Sequence, residues 1–365
     1  MTDSMVASGL TVEQWDDKFF TEYLTQNRFA SEMGTSEGNI IQVKEKLSKQ
    51  PGDRINFALV NKLINPAKTG RTTLEGQEEN MLSRSFEVVV DKRRNGVRIA
   101  EVDEQFSAIS LREAAKSVLK DWSMKDTESL IIQALASING VKYATSSVAQ
   151  RDAWLVDNTD RVFFGNSGYV GGVHATGLTG LDLTDDKLTA YAISAMKYKA
   201  LVTASPKIRP IRSEANGRHY FILYCDPRCF RDLRTDTTIT QAQREVSLEM
   251  ENNRLFKGGD LLWNGVIIKE IHQMYDELKV PFTDVGAGAT VEVGCCFLCG
   301  AQAVGTAYAK RWVTKTQDFD YGDKRGVAIE SIYGIAKMQF GSNASSDTGD
   351  LKDHGVITGY FATTN

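Results

Sequence analysis

The stretch SLREAAKSVLKDWSMKDTESLIIQALASI, residues 110–138, constrains the fold more than any other. Apolar residues recur at 111, 114, 115, 118, 119 and 122, then at 130, 131, 134, 135 and 138. That i, i+3, i+4, i+7 spacing gathers them on one stripe of a helix. Ser110 and Glu113 make an S-x-x-E capping box at its start, and Asn139-Gly140 ends it. At ~1.5 Å per residue the rod is roughly 40–45 Å long. The stripe weakens around Lys125 and Asp126, where a bend is expected.

Two runs ahead of the helix, DRINFALVNKL (53–63) and SFEVVVDKRRNGVRIAEV (85–102), are rich in β-branched and aromatic residues and read as strands. About twenty residues with Pro66, Gly70 and Gly76 join them, a length compact domains seldom leave unused. The reading is a long two-stranded projection with an extended tip. An isolated ribbon is marginal in water, so its packing is expected to finish on a neighbouring chain. Residues 1–50 are polar, apart from a short amphipathic patch at Trp15, Phe19, Phe20 and Tyr23. An arm laid on something else and a surface helix of its own domain fit that patch equally well.

Past the rod, residues 139–183 are glycine-rich and read as irregular. A second helix is expected over 184–202, with Thr184 as its N-cap. HYFILYCD (219–226) reads as a buried strand, PRCFRDLRTD as a short helix or turn, and QAQREVSLEMEN (241–252) as helix. LLWNGVIIKEI (261–271) reads as a strand that can turn at Asn264-Gly265. VEVGCCFLCGAQAVGTAYAKRW is expected to pass from strand into helix. RGVAIESIYGIAKMQF (325–340) and HGVITGYFATT (354–364) read as two closing strands. The order mixes long helices with mostly non-alternating strands and repeats no β-α-β unit, so the class is α+β.

The 365 residues suffice for a sizeable core and about two domains. A net charge of −4 gives no support to non-specific nucleic-acid binding. No apolar run approaches the ~20 residues of a membrane span, and the first residues lack the pattern of a signal peptide. Five cysteines, an odd number without an export signal, favour reduced thiols and assembly in a cytoplasm.

Three of those cysteines lie in GCCFLCG (294–300), where Cys296 and Cys299 have C-x-x-C spacing, and Cys225 and Cys229 could supply a second pair. Structural metal knuckles place polar and glycine residues between their cysteines, whereas here Phe297 and Leu298 intervene. The second pair is C-x-x-x-C, and free Cys is among the most buried residue types. A core strand is therefore favoured over a metal site. GVHATGLT (172–179) has a P-loop frame with Leu178 in the lysine's place, and GAGATV (286–291) lacks the third glycine of a dinucleotide loop, so both read as turns. The histidines are scattered, and no G-x-S-x-G elbow occurs. Lys92-Arg93-Arg94 is either a soluble loop or a charged contact with an acidic neighbour. No catalytic, cofactor-binding or metal-ligating residue is assigned.

Several segments taken in order resemble a known family: LEGQEE (74–79), SFEVVVDKRRNGVRI, FILYCDPRCFRDLRTD, LLWNGVIIKE, CGAQAVGTAYAKRW and DYGDKRGVAIESIYGIAK. Together they are similar to the major capsid proteins of tailed bacteriophages, in the N4-like group. The resemblance implies an HK97-type capsid fold with an N-terminal arm at 1–52 and an extended β-hairpin loop at 53–105. It further implies a peripheral domain at 106–205 with spine helix 110–138 and an irregular insertion at 139–183. An axial domain at 206–316 follows, then strands at 317–365 that return to the peripheral domain. The implied role is structural, with no enzyme activity and no cofactor: pentamers and hexamers of an icosahedral shell around double-stranded DNA. The implied location is the virion capsid, assembled in the bacterial host cytoplasm. The implied partners are copies of the chain, a portal protein, a scaffolding protein, a decoration protein, and packaged DNA without sequence-specific contacts; no membrane is involved. Expected interface residues are Trp15, Phe19 and Phe20 on the arm and Arg71, Glu75, Glu78, Glu79, Lys92, Arg93 and Arg94 on the hairpin. Charge reversal at Arg93 and Arg94 is expected to impair assembly and leave monomers folded. The competing readings are an encapsulin shell of the same fold and a metal-dependent enzyme using Cys225, Cys229, Cys296 and Cys299.

Overall fold

A computed structural model describes residues 27–45, 52–60, 65–71, 73–76, 78, 83–107, 109–165, 168–212, 219–245, 256–257, 260–341 and 351–364. Met33–Gly34 (β1) and Ile41–Lys44 (β2) pair in parallel. Arg54–Val60 (β3) and Ser83–Val89 (β4) form an antiparallel hairpin, in register from Arg54↔Val89 to Val60↔Ser83. Strand alternation sorts its faces: Ile55, Phe57 and Val88 are buried, while Asn56, Ala58, Ser85 and Glu87 are exposed. The run expected as one strand over 85–102 is two, because Asp91–Ala100 (β5) starts anew after Val90. Glu101–Phe106 (α1) precedes the long helix, Leu111–Leu135 (α2).

Residues 139–183 are not irregular, which corrects the sequence reading. Val148–Asp157 (α3) starts at a capping box in which the Gln150 N–H donates to Ser147 Oγ at 3.3 Å and the Ser147 N–H to Gln150 Oε1 at 2.9 Å. It buries Trp154 and Leu155. Val162–Phe164 (β6) and His174–Thr179 (α4) complete the segment. The P-loop-like frame is thus a short helix, whose Gly177 lies where a Cβ would come within 2.8 Å of the Phe164 ring. The next helix, Ala190–Tyr198 (α5), begins later than expected. Thr189, not Thr184, caps it by accepting from the Ala192 N–H at 3.3 Å. The acidic stretch before it is a turn held by Asp182, which accepts from the Thr184 and Asp185 N–H groups.

The remaining elements are Ile211–Arg212 (β7), His219–Cys225 (β8), Pro227–Arg234 (α6), Thr237–Glu245 (α7), Phe256–Lys257 (β9), Asp260–Trp263 (β10), Val266–Glu270 (β11) and His272–Leu278 (α8). They are followed by Glu292–Cys299 (β12), Val304–Phe319 (β13), Lys324–Lys337 (β14), Gln339–Gly341 (β15), Leu351–Asp353 (β16) and Val356–Thr363 (β17). β10 and β11 turn at Asn264 (φ 46) and Gly265 (φ 72), with both central residues left-handed as a tight hairpin requires. The expected passage from strand into helix after Gly300 does not occur. Val304, Thr306, Tyr308, Trp312, Val313, Thr314 and Thr316 suit a strand, and β13 is paired along its start with β2, from Val304↔Ile41.

By chain contacts the protein divides into two units. The larger takes residues 28–91, 127–310 and 333–365, and its centre is an eight-stranded sheet in the order β6-β17-β12-β8-β11-β10-β9, with β7 on β8. Both faces of that sheet are covered. Tyr224, Cys295, Phe297, Cys299 and Tyr360 join one apolar cluster, while Leu223, Cys225, Cys296, Leu298 and Phe361 join another. Two-sided burial explains why these strands do not alternate in sequence. β17 pairs with β12 along its whole length, from Glu292↔Thr363 to Cys299↔Val356. The last strand therefore lies between β6 and β12. The smaller unit takes residues 92–126 and 311–332. Leu119, Val327 and Ile329 are its buried centre, and Trp122 and Trp312 meet edge to face at 5.9 Å between ring centroids.

Candidate assembly surface

The hairpin presents the first part of the surface. Its apolar face packs Ile55, Phe57 and Val88 against Ala307, Met338 and Phe340, within the larger unit. Lys44 Nζ sits 4.2 Å from the centroid of the Phe57 ring and donates to the Asn56 carbonyl at 3.3 Å. At the root of the hairpin Gly334 is indispensable, because a Cβ there would lie 1.9 Å from the Val89 carbonyl oxygen. Arg54 bridges Asp53 at 3.1 Å and Glu87 at 2.5 Å, all on exposed side chains where such pairs contribute little. Arg71, Glu75 and Glu78 lie exposed in the connection between the strands. Glu78 is partly spent there, since the Gly76 N–H donates to its carboxylate at 2.7 Å. Glu79, Trp15, Phe19 and Phe20 lie outside the described residues.

The basic triplet separates into three roles. Arg93 Nε and Nη2 reach Asp126 Oδ2 and Oδ1 at 2.6 and 2.5 Å. This two-point fork clamps β5 onto α2 at the position where the apolar stripe of the sequence weakens. Arg93 thus has a charge partner inside the chain, Asp126. Lys92 lies 3.4 Å from Glu330, which also receives Lys315 at 2.6 Å. Arg94 is exposed. With Lys92, Arg98, Lys315 and Phe319 it lines a groove of about 780 Å³ on the smaller unit. That face carries four cations against the single carboxylate of Glu330, so its surplus charge suits an acidic partner.

The cysteines form no site. Cys225 and Cys296 are cross-strand partners, and both face the same cluster as Cys229, whereas Cys295 and Cys299 belong to the opposite face. The four sulfurs of the proposed metal set are therefore split across a sheet. All five thiols are free and buried. Burial pushes the pKa of Cys225, Cys295, Cys296 and Cys299 up, and a bond with Cys296 together with burial does so for Cys229. A thiol held in that state is a poor ligand and a poor nucleophile. Among the described residues no cluster of His, Cys, Asp or Glu is arranged to hold a metal, and no helix is long and apolar enough to cross a membrane.

Sequence reasoning missed the buried polar ties that hold this scaffold. Lys337 and Asp353, each 1% exposed, pair at 2.6 Å, and Gln339 and Trp154 donate to the same carboxylate. Arg228 forks onto Asp226 at 3.1 and 3.0 Å, contacts Glu292 and lies over Tyr275. Burial works against its charge, but Asp226 and Glu292 outweigh that and hold it protonated. Of these, only Asp226-Pro227 carried a local signal, an N-cap followed by proline at the first helical position. Glu128 in α2 is 2% exposed. Burial pushes its pKa up to about 7, with Arg28 pulling the other way.

The larger unit carries a hairpin and the smaller a basic groove, and the chain matches known proteins throughout its length. The chain is 27% identical to the major capsid protein of Pseudomonas phage KPP25 over 382 residues, covering 97% of this chain and 96% of that one. The solved capsid asymmetric unit of cyanophage Pam1 superposes with a TM-score of 0.86 at 32% identity, covering 100% and 99% of the two chains. The capsid of Ralstonia phage GP4 shares the fold at a TM-score of 0.77 and 22% identity, over 100% and 99%. The mixed helix-and-strand architecture is that of these HK97-like capsid subunits. With residues 4–364 matching the phage capsid protein family, the chain belongs to that family.

Proposed function

We propose that this chain is the shell-building subunit of a tailed phage of the N4-like group, closing into pentamers and hexamers around double-stranded DNA. The observation that carries the reading is the end-to-end family match, which includes the hairpin and the long helix. Its role is structural and not catalytic, and assembly takes place in the bacterial host cytoplasm. In domain terms, 1–52 is the arm, 53–105 the extended loop, α2 the spine of the peripheral domain, and the axial domain is centred on 206–316. Closed rings need head-to-tail contacts, and many modest interfaces per subunit add to a stable shell. Trp15, Phe19, Phe20, Arg71, Glu75, Glu78, Glu79, Lys92 and Arg94 are the proposed contacts, while Arg93 supports them by fixing β5. Portal, scaffolding and decoration proteins are the further partners, and packaged DNA is held without sequence-specific contacts.

Electron microscopy of the purified protein, and of its co-expression with a scaffolding partner, tests this reading. Closed icosahedral shells or free pentamers and hexamers are expected. A protein that stays monomeric in both preparations refutes it. The contact assignment has its own test in Arg94→Glu, which is expected to impair shell formation with an unchanged melting temperature of the subunit. Normal shells from that variant remove Arg94 from the surface.

A further inference from the structure

Within the larger unit, the end of the hairpin ladder next to its connection (Leu59 and Arg84), the Val202–Lys207 turn after α5 and the β15–β16 ladder with His354 wall a cavity of about 750 Å³. Four cationic side chains line it, Arg84, Arg161, Lys207 and Lys352, against the one carboxylate of Asp353. Asp353 is already committed to Lys337, Gln339 and Trp154. Lys352 and Arg161 share the next carboxylate, Asp160, at 3.4 and 3.9 Å, and Asp160 also accepts the Ser205 N–H at 2.8 Å. Two cations over one carboxylate leave positive charge uncompensated beside the cavity.

Arg161 sharpens the point. It is 2% exposed, and its Nη2 donates to the Pro206 carbonyl at 2.6 Å, but its Nε has no hydrogen-bond acceptor. Burying a guanidinium with an unused N–H is costly unless an acceptor supplies both charge and lone pairs. A compact anion with several oxygens supplies both, because charge-assisted N–H···O⁻ bonds are the strong class. Arg84, which comes from the hairpin, also donates to the Gly341 carbonyl across the same wall.

We propose that this cavity is a binding site for a small oxyanion of the phosphate class, held by Arg161 and Lys352, with Arg84 and Lys207 completing the wall. A bound oxyanion ties the connection end of the hairpin ladder to the body of the unit it springs from. The site needs neither a shell nor a second copy, so it stands or falls independently of the assembly reading. His354 supplies a local reporter. It lines the same cavity against the Phe340 ring, and burial followed by the Arg161 charge pushes its pKa down to about 4. An anion that offsets Arg161 raises that value, with Arg84, Lys207, Lys352 and Asp353 the other charged groups lining the cavity.

The test titrates inorganic phosphate into the full-length subunit, with chloride at matched ionic strength as the reference, read by calorimetry and by the NMR titration of the His354 ring. Saturable binding is expected, together with an upward move of the His354 pKa in phosphate. Affinity is expected to fall at least tenfold in Arg161→Gln and several-fold in Lys207→Gln, an exposed position that leaves the core untouched. Should Arg161→Gln fail to fold, Lys352→Gln and Lys207→Gln decide the matter. Phosphate that acts no differently from chloride, a His354 pKa it does not move, or an affinity unchanged in the folded variants each overturns the proposal.

Discussion

Replacing Glu128 by Gln should stabilise the subunit at alkaline pH and leave it unchanged at acid pH. Glu128 is 2% exposed on α2, and burial raises its pKa from 4.5 to about 7. In the unfolded chain the carboxyl ionises near the ordinary value, whereas in the folded chain it holds its proton until about pH 7. Its contribution is therefore fully present below about pH 4.5 and is lost as pH rises through about 7. The gap between the two values, at ~1.4 kcal/mol per pH unit, puts the full loss at about 3 kcal/mol. Gln keeps the shape and never ionises, so Glu128→Gln should gain about 2–3 kcal/mol over the natural protein at pH 8 and nothing at pH 4. Urea unfolding of the purified subunit at half-unit steps from pH 4 to 8.5 traces the curve. A difference between variant and parent that stays constant across that range refutes the reasoning, because a neutral packing effect has no pH dependence.

A double-mutant cycle on Arg93→Ala and Asp126→Ala should return a coupling of about 1–2 kcal/mol in urea unfolding, since the pair is a two-point fork and only partly exposed. A coupling near zero would reduce it to an ordinary surface pair. Lys337→Met strands Asp353 at 1% exposure and should cost about 3–5 kcal/mol by the same assay; a loss under about 1 kcal/mol sinks the assignment of a tightly coupled buried pair. Gly334→Ala drives a methyl into the Val89 carbonyl and should cost about 2 kcal/mol or more, read as a clear drop in melting temperature.

The legible parts of the sequence were those whose signal is local. The stripe at 110–138 marked α2 to within three residues at either end, because every turn repeats the same side-chain arithmetic. Asn264-Gly265 marked its hairpin because two left-handed residues in succession admit few alternatives. Elsewhere the deciding contact was distant. The alanine-rich start of β13 invites a helix, yet pairing with β2, some 260 residues earlier, makes it a strand. Segment 139–183 looked formless for want of a long period, but Ser147 and Gln150 close a helix that only Trp154 and Leu155 anchor. The candidate surface divided the same way. A run of three basic residues was visible, but which of them is spent internally depends on Asp126 and Glu330, and neither is near in sequence.

The two-sided burial of β12 also bears on the life of the finished particle. A shell repeats every exposed group many times over, so one reachable thiol per subunit would be a lattice of them. In an oxidising medium such a lattice would meet dissolved oxygen and peroxide, and neighbouring subunits could become welded by disulfides. Oxidation of that kind starts from a thiolate with access to solvent. Here all five sulfurs are sealed under side chains and held protonated. The chain can use cysteine freely as a small apolar filler, and the shell it forms should keep the same subunit mass and the same mobility on non-reducing gels through long exposure to air.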